Sequence, residues 1–187
     1  MTVKRIKDTR TPRVVMHRVA DIRGGVSVKT AELGADWLPE GTALSAPENG
    51  ICHVVKTSEV AAAVAESATS ITVKKGTLFN VGDIVMVKEG DKASKITAID
   101  RTAKDTDKIT ISAAIGAIAL GGAIAEAKAA STGTTSALKY EPKAIVGTGK
   151  PIIAGENIDT DAWLIAVTKG NALPDCVASK LKGIINY

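Results

Sequence analysis

Eight short stretches of this chain alternate apolar and polar residues with a period of two. They are rich in Val, Ile and Thr, and each stops at Gly, Asp, Asn or Pro. The clearest are Arg13–His17, Val26–Lys29, Ile51–Lys56, Ser70–Lys74, Asp83–Lys88, Ser94–Asp100, Asp107–Ser112 and Asp161–Thr168. A period of two places successive side chains on opposite faces of an extended strand, so this texture excludes a helical fold. One segment differs: Ser58–Glu66 predicts a helix, with Thr57 or Ser58 as cap and Glu59 in the first turn. A second helical turn is expected over Ser112–Ala117.

A turn pattern recurs between these runs. An apolar residue is followed by Gly three positions on and by another apolar or small residue three further. It reads Leu38–Gly41–Leu44, Phe79–Gly82–Val85, Ala119–Gly122–Ala125 and Ile152–Gly155–Ile158. Glycine supplies a positive φ without steric cost, and a strand leaves directly afterwards. The copies are unevenly spaced, so they do not form a tandem repeat.

The runs group into segments. Residues 68–128 hold five expected strands joined by polar turns, which predicts a small antiparallel β-barrel. The stretch 129–137 has the Ala, Ser, Thr and Gly composition of a linker. The flanks, 24–67 and 138–187, are too short to bury much surface alone and are expected to pair with each other. The fold class is therefore mainly β: a small antiparallel β-barrel module inserted in or following a β-rich scaffold, with one short helix.

Charge is distributed unevenly. Residues 1–30 hold eight basic and two acidic side chains, whereas the whole chain is only +4. Five of the six arginines precede residue 24. Residues 1–23 thus form a basic arm whose candidate anchoring residues are Lys4, Arg5, Lys7, Arg10, Arg13, Arg18 and Arg23. Such an arm suits an acidic protein surface or nucleic acid, because arginine makes two-pronged contacts to carboxylate and phosphate. Residues 68–128 contain a single aromatic, Phe79, and nearly balanced charge. That weakens the case for nucleic acid, which small barrels hold by stacking bases on exposed aromatics.

Little in the chain suggests catalysis. There are two His, two Cys and five aromatics. Cys52 and His53 are adjacent, so in a strand they point to opposite faces and cannot share a metal. The GTGKP stretch at 147–151 is not a phosphate loop, because Ala144 stands where the first Gly belongs and Pro151 follows Lys150. The pairs Asp105/Asp107 and Asp159/Asp161 lack the further oxygens of a calcium loop and read as turn residues. No enzyme activity, metal or cofactor is expected. No window approaches about 18 uninterrupted apolar residues, so no membrane partner is expected. The basic N-terminus lacks an apolar signal region, and the two distant cysteines suit a reducing compartment.

The stretch ADIRGGVSVKTAELGADWLPEGTALSAPENGICHVVKTSEV (20–60), with its WLPEGTAL turn, resembles the front half of head decoration and head-fibre proteins of tailed bacteriophages. Residues 71–116, with FNVGDIV, the KITAID run and the KITI run, resemble the small β module that often follows in those virion proteins. The resemblance implies a structural accessory protein on the outer surface of a phage capsid, made in the host cytoplasm. Its implied partners are the major capsid protein and further copies of itself, a trimer being favoured. The basic arm would then be the capsid anchor. A glycan- or receptor-binding fibre module is the alternative, and a basic nucleic-acid-binding barrel the second.

Overall fold

The computed structural model describes residues 14–187. Its N-terminal part contains β1 (Val15–Asp21), β2 (Val26–Val28), β3 (Trp37–Leu38), β4 (Ala43–Ser45) and β5 (Ile51–Cys52). The middle contains β6 (Thr57–Glu59), β7 (Ser70–Lys74), β8 (Ile84–Met86), β9 (Ala93–Asp100), β10 (Thr106–Ile111) and β11 (Ala123–Glu126). The C-terminal part contains β12 (Pro142–Val146), β13 (Lys150–Pro151), β14 (Ile158–Thr160), β15 (Ala162–Thr168), α1 (Asp175–Ala178) and β16 (Ile184–Asn186). The protein is mainly β, with 43% of residues in strands and 2% helical.

The middle strands form one six-stranded sheet in the order β6-β11-β8-β9-β10-β7. Its inward residues, among them Val60, Ile71, Val73, Phe79, Val85, Ile96, Ile109 and Ile124, are completely buried. The sheet curls but does not close into the barrel expected from the sequence. Its edge strands β6 and β7 meet only through a one-residue bridge, Val60 to Val73. The reason is length: β6 stops after three residues, and the chain turns away before a ladder can form.

The helix expected at 58–66 is absent. Thr57–Glu59 is strand β6, and Val60 and Val64 make isolated bridges to Val73 and Ile118. The spacing of Val60 and Val64 fits a helical face, but the backbone groups of Val60 pair with Gly121 and Gly122 and those of Val64 with Ile118 instead. Residues 112–117 are likewise bend and loop, not a helical turn. Among the described residues the one helix is α1, near the C-terminus.

Strands from the two flanks share sheets. A five-stranded sheet runs β1-β15-β12-β4, with β16 added parallel to β15. Smaller sheets pair β13 with β3 and set β2 between β14 and β5. The core they enclose includes Val28, Leu38, Leu44, Cys52, Val54, Ala144, Val146 and Ala162. A further apolar cluster joins both halves, uniting Met86, Ala93 and Ala125 of the middle sheet with Ala43, Ile145 and Ala166 of the flanks. Residues 129–137 fold back onto β9, where Ala93 and Ser131 exchange backbone hydrogen bonds of 2.8 and 2.9 Å.

The turn pattern has the backbone it requires. Gly41, Gly82 and Gly155 have φ of 81°, 101° and 85°, and β4, β8 and β14 start within three residues of them. In the remaining copy the positive φ belongs to Gly121, one residue earlier than expected.

Candidate functional site

Residues 15–21 of the expected basic arm are strand β1 of the five-stranded sheet and so part of the folded body; β1 is an edge strand, paired only with β15 among the described residues. Five of its seven residues are exposed, all but Val15 and Ala20. The β1–β15 register is interrupted three times. Met16 and Val19 are the extra residues on β1, and Leu164 is the extra residue on β15. A bulge re-aims side chains and bends the strand that carries it. Here all three inserted residues are apolar and point to solvent, Met16 at 54%, Val19 at 59% and Leu164 at 42% exposure. Ile165 on β15, Ile185 on β16 and the following Tyr187 extend the exposed apolar area over the adjoining strands. Isolated exposed apolar residues are ordinary, and a group on neighbouring strands is the feature that makes this edge the candidate site.

Of the candidate anchoring residues, Lys4, Arg5, Lys7, Arg10 and Arg13 lie outside the described residues. Arg18 sits on β1 beside the apolar group. Its Nη2 donates to the Gly147 carbonyl at 3.2 Å, and its guanidinium lies 5.4 Å from the centre of the Trp163 ring. Arg23 is exposed in the turn between β1 and β2. The structure therefore separates the two arginines: Arg18 is partly committed to the fold, and Arg23 faces solvent. Next to Arg18, Asp161 accepts a hydrogen bond from Trp163 Nε1 at 3.0 Å. Burial pushes the Asp161 carboxyl up, but this hydrogen bond and its neighbours outweigh burial and hold it below its ordinary value.

Two polar clusters were not legible in advance. In the first, His53 Nδ1 lies 2.9 Å from Glu32 Oε1, and Tyr140 donates to Glu32 Oε2 at 3.2 Å. The His53 and Tyr140 rings stack at 4.2 Å, and Lys139 Nζ lies 5.3 Å from the Tyr140 ring centre. Glu32 also fastens its loop to the middle sheet, because its carbonyl accepts from Asn80 Nδ2 at 2.9 Å. The cluster acts as a clasp between halves.

The second cluster is buried and charged. Lys56 precedes β6, Asp83 precedes β8, and Glu126 ends β11, which lies between those two strands. Lys56 Nζ donates to Asp83 Oδ2 at 2.6 Å and to Glu126 Oε1 at 3.4 Å. Lys139 Nζ donates to the same Glu126 oxygen at 2.8 Å. Lys56 is 1% and Glu126 2% exposed, and Glu126 Oε2 is buried without a hydrogen-bond partner. Burial pushes the Glu126 carboxyl up, against the pull of Lys139 and Lys56. The signal for this cluster was a charged residue within each of two apolar runs, Lys56 after Val54–Val55 and Glu126 within Ala123–Ala127.

Among the described residues no group of three or more His, Cys, Asp and Glu side chains could hold a metal ion. The two Asp pairs do turn and strand work. Asp107 accepts the backbone N–H groups of Gly76 and Thr77 at 2.9 and 3.1 Å, which belong to a distant turn and not to its own. Among known proteins, no family model, no curated protein and no solved structure matches this chain.

Proposed function

We propose that this chain is a non-enzymatic structural protein of a tailed-phage virion, seated on the outer surface of the capsid as a head decoration or head-fibre component. The observation that carries this reading is the group of exposed apolar residues on β1, β15 and β16, where β1 lies within the basic N-terminal segment. Exposed apolar side chains next to a basic segment suit an acidic protein surface with an apolar centre: burial supplies affinity, and charge supplies orientation and encounter rate. The resemblance of residues 20–60 and 71–116 to virion accessory proteins supports the same assignment. The major capsid protein is the partner on this reading, and the decorating unit is a small oligomer, a trimer being favoured.

The glycan-binding alternative draws less support from the aromatics. Tyr140 is stacked on His53 and neighboured by Lys139, and Trp163 is neighboured by Arg18. The test is mass spectrometry and cryo-electron microscopy of purified particles. Density for this chain on the shell, lost on deletion of residues 1–13 or in the Met16→Lys/Val19→Lys double variant, is the expected result. Particles lacking the chain, or an arm that binds DNA in a salt-dependent manner and leaves capsids untouched, would refute it.

A further inference from the structure

We propose that Lys56 and Asp83 condense to an intramolecular amide, with Glu126 as the catalytic proton carrier, so that a covalent bond joins the chain entering β6 to the chain entering β8. This adds an autocatalytic modification site to the structural role above and does not depend on it.

The geometry is that of a reaction poised to occur. The nucleophile Lys56 Nζ is 2.6 Å from Asp83 Oδ2, and Glu126 Oε1 is 3.4 Å from the same nitrogen. These positions follow from the register. The Glu126 N–H donates to the Lys56 carbonyl at 2.9 Å, and Glu126 faces Val85 on the other side. The central strand β11 thus presents its carboxylate between the ends of its two neighbours. Groups held in this way react as though at an effective concentration on the order of 10⁵–10⁸ M.

The environment favours the neutral product. Lys56 and Glu126 are almost fully buried, and their chain neighbours Val55 and Ala125 and the cross-strand partner Val85 are at most 1% exposed. Buried ions pay for lost hydration, and that cost falls on Lys56 and Asp83 as long as they remain a salt bridge. An amide carries no net charge. The burial of Lys56 and Glu126 limits the access of water, which also disfavours the reverse hydrolysis.

The chemistry balances. Two protons pass from the Lys56 ammonium, by way of Glu126, to one oxygen of Asp83. The Nζ–Cγ bond forms, a Cγ–O bond breaks, and that oxygen leaves as water. The positive and negative charges cancel, and no oxidant or cofactor is consumed. The Asn80 N–H donates to Asp83 Oδ2 at 2.7 Å, so it stabilises the negative charge that builds on that oxygen during attack, and Oδ1 is the one that leaves. Glu126 suits a proton carrier: burial raises its pKa, and Oε2 has no competing partner. Lys139 is a positioning residue, holding Glu126 Oε1 at 2.8 Å.

The test is the intact mass of the full chain, folded, then denatured and measured. The expected mass lies one water below that of the sequence, with a branched proteolytic peptide joining Lys56 to Asp83. Asp83→Asn is expected to form the same bond with loss of one ammonia instead. Glu126→Gln is expected to keep a native circular dichroism spectrum and its full mass. A wild-type chain still at full sequence mass after prolonged incubation in the folded state would overturn the amide, as would a water loss that maps to other residues. Equal cross-linking in Glu126→Gln would overturn the role given to Glu126.

Discussion

Asp107 shows how much of this fold hangs on single side chains. It is 1% exposed and serves a turn thirty residues earlier in the chain, where it accepts two backbone N–H groups. Lys75 Nζ lies 2.9 Å from its other oxygen, and Arg101, which donates to the Thr77 and Phe79 carbonyls, stands 3.6 Å away. Asp107→Ala leaves those donors without their acceptor, and the expected loss is about 2–3 kcal/mol, read from the urea midpoint. Asp161 makes a pH prediction. Its folded pKa lies below the ordinary Asp value of about 3.9, so its stabilisation is fully present above that value. It is lost as pH falls through the depressed folded value. Asp161→Asn is therefore expected to be less stable than wild type at neutral pH, with the gap closing under strong acid. Trp163 fluorescence during denaturation at each pH measures this.

At the scale of elements, short strands are held by the turns that feed them. Gly41 precedes β4 with φ of 81°, and a Cβ there would meet Val14 Cγ1 at 2.9 Å. Gly50 has a similar φ of 83° with nothing within reach. Gly41→Ala combines backbone strain with a collision against the chain entering β1, whereas Gly50→Ala meets strain alone. An expected cost of about 1–3 kcal/mol for the former, exceeding that of the latter, is checked by thermal melts of the two variants. Strand β9 makes a different demand. Ile96 is completely buried in the six-stranded sheet, and Ile96→Ala is expected to cost about 2–5 kcal/mol in equilibrium denaturation. The bulges on β1 and β15 carry no such burden, because Met16, Val19 and Leu164 are exposed. Polar substitution there is expected to leave the melting temperature unchanged and to alter attachment only.

At the scale of the whole molecule, the halves are tied by the apolar cluster they share, by Glu32 and Asn80, and by Glu89, which pairs with Lys180 at 3.0 Å. One cooperative transition is expected, with calorimetry and Trp fluorescence giving the same midpoint. Two separated midpoints would mean that the sheets fold independently. Capsid attachment through the arm is expected to weaken with rising salt, as screening shortens the reach of its charges. Much of this organisation was legible in the sequence. Ser70–Lys74 is strand β7 in full, and the runs at 83–88, 94–100, 107–112 and 161–168 all contain strands. Strand β12 was missed, because its Pro-led segment carries almost no alternation. The sequence by itself determined the β class, the glycine turns and the basic charge of residues 1–30, since period, φ and charge are local properties. Only the tertiary structure decided that Ser58–Glu66 is not a helix, that the middle sheet stays open, and that Lys56, Asp83 and Glu126 meet. Those outcomes depend on contacts between residues far apart in the chain, where long-range pairing and burial override local preference.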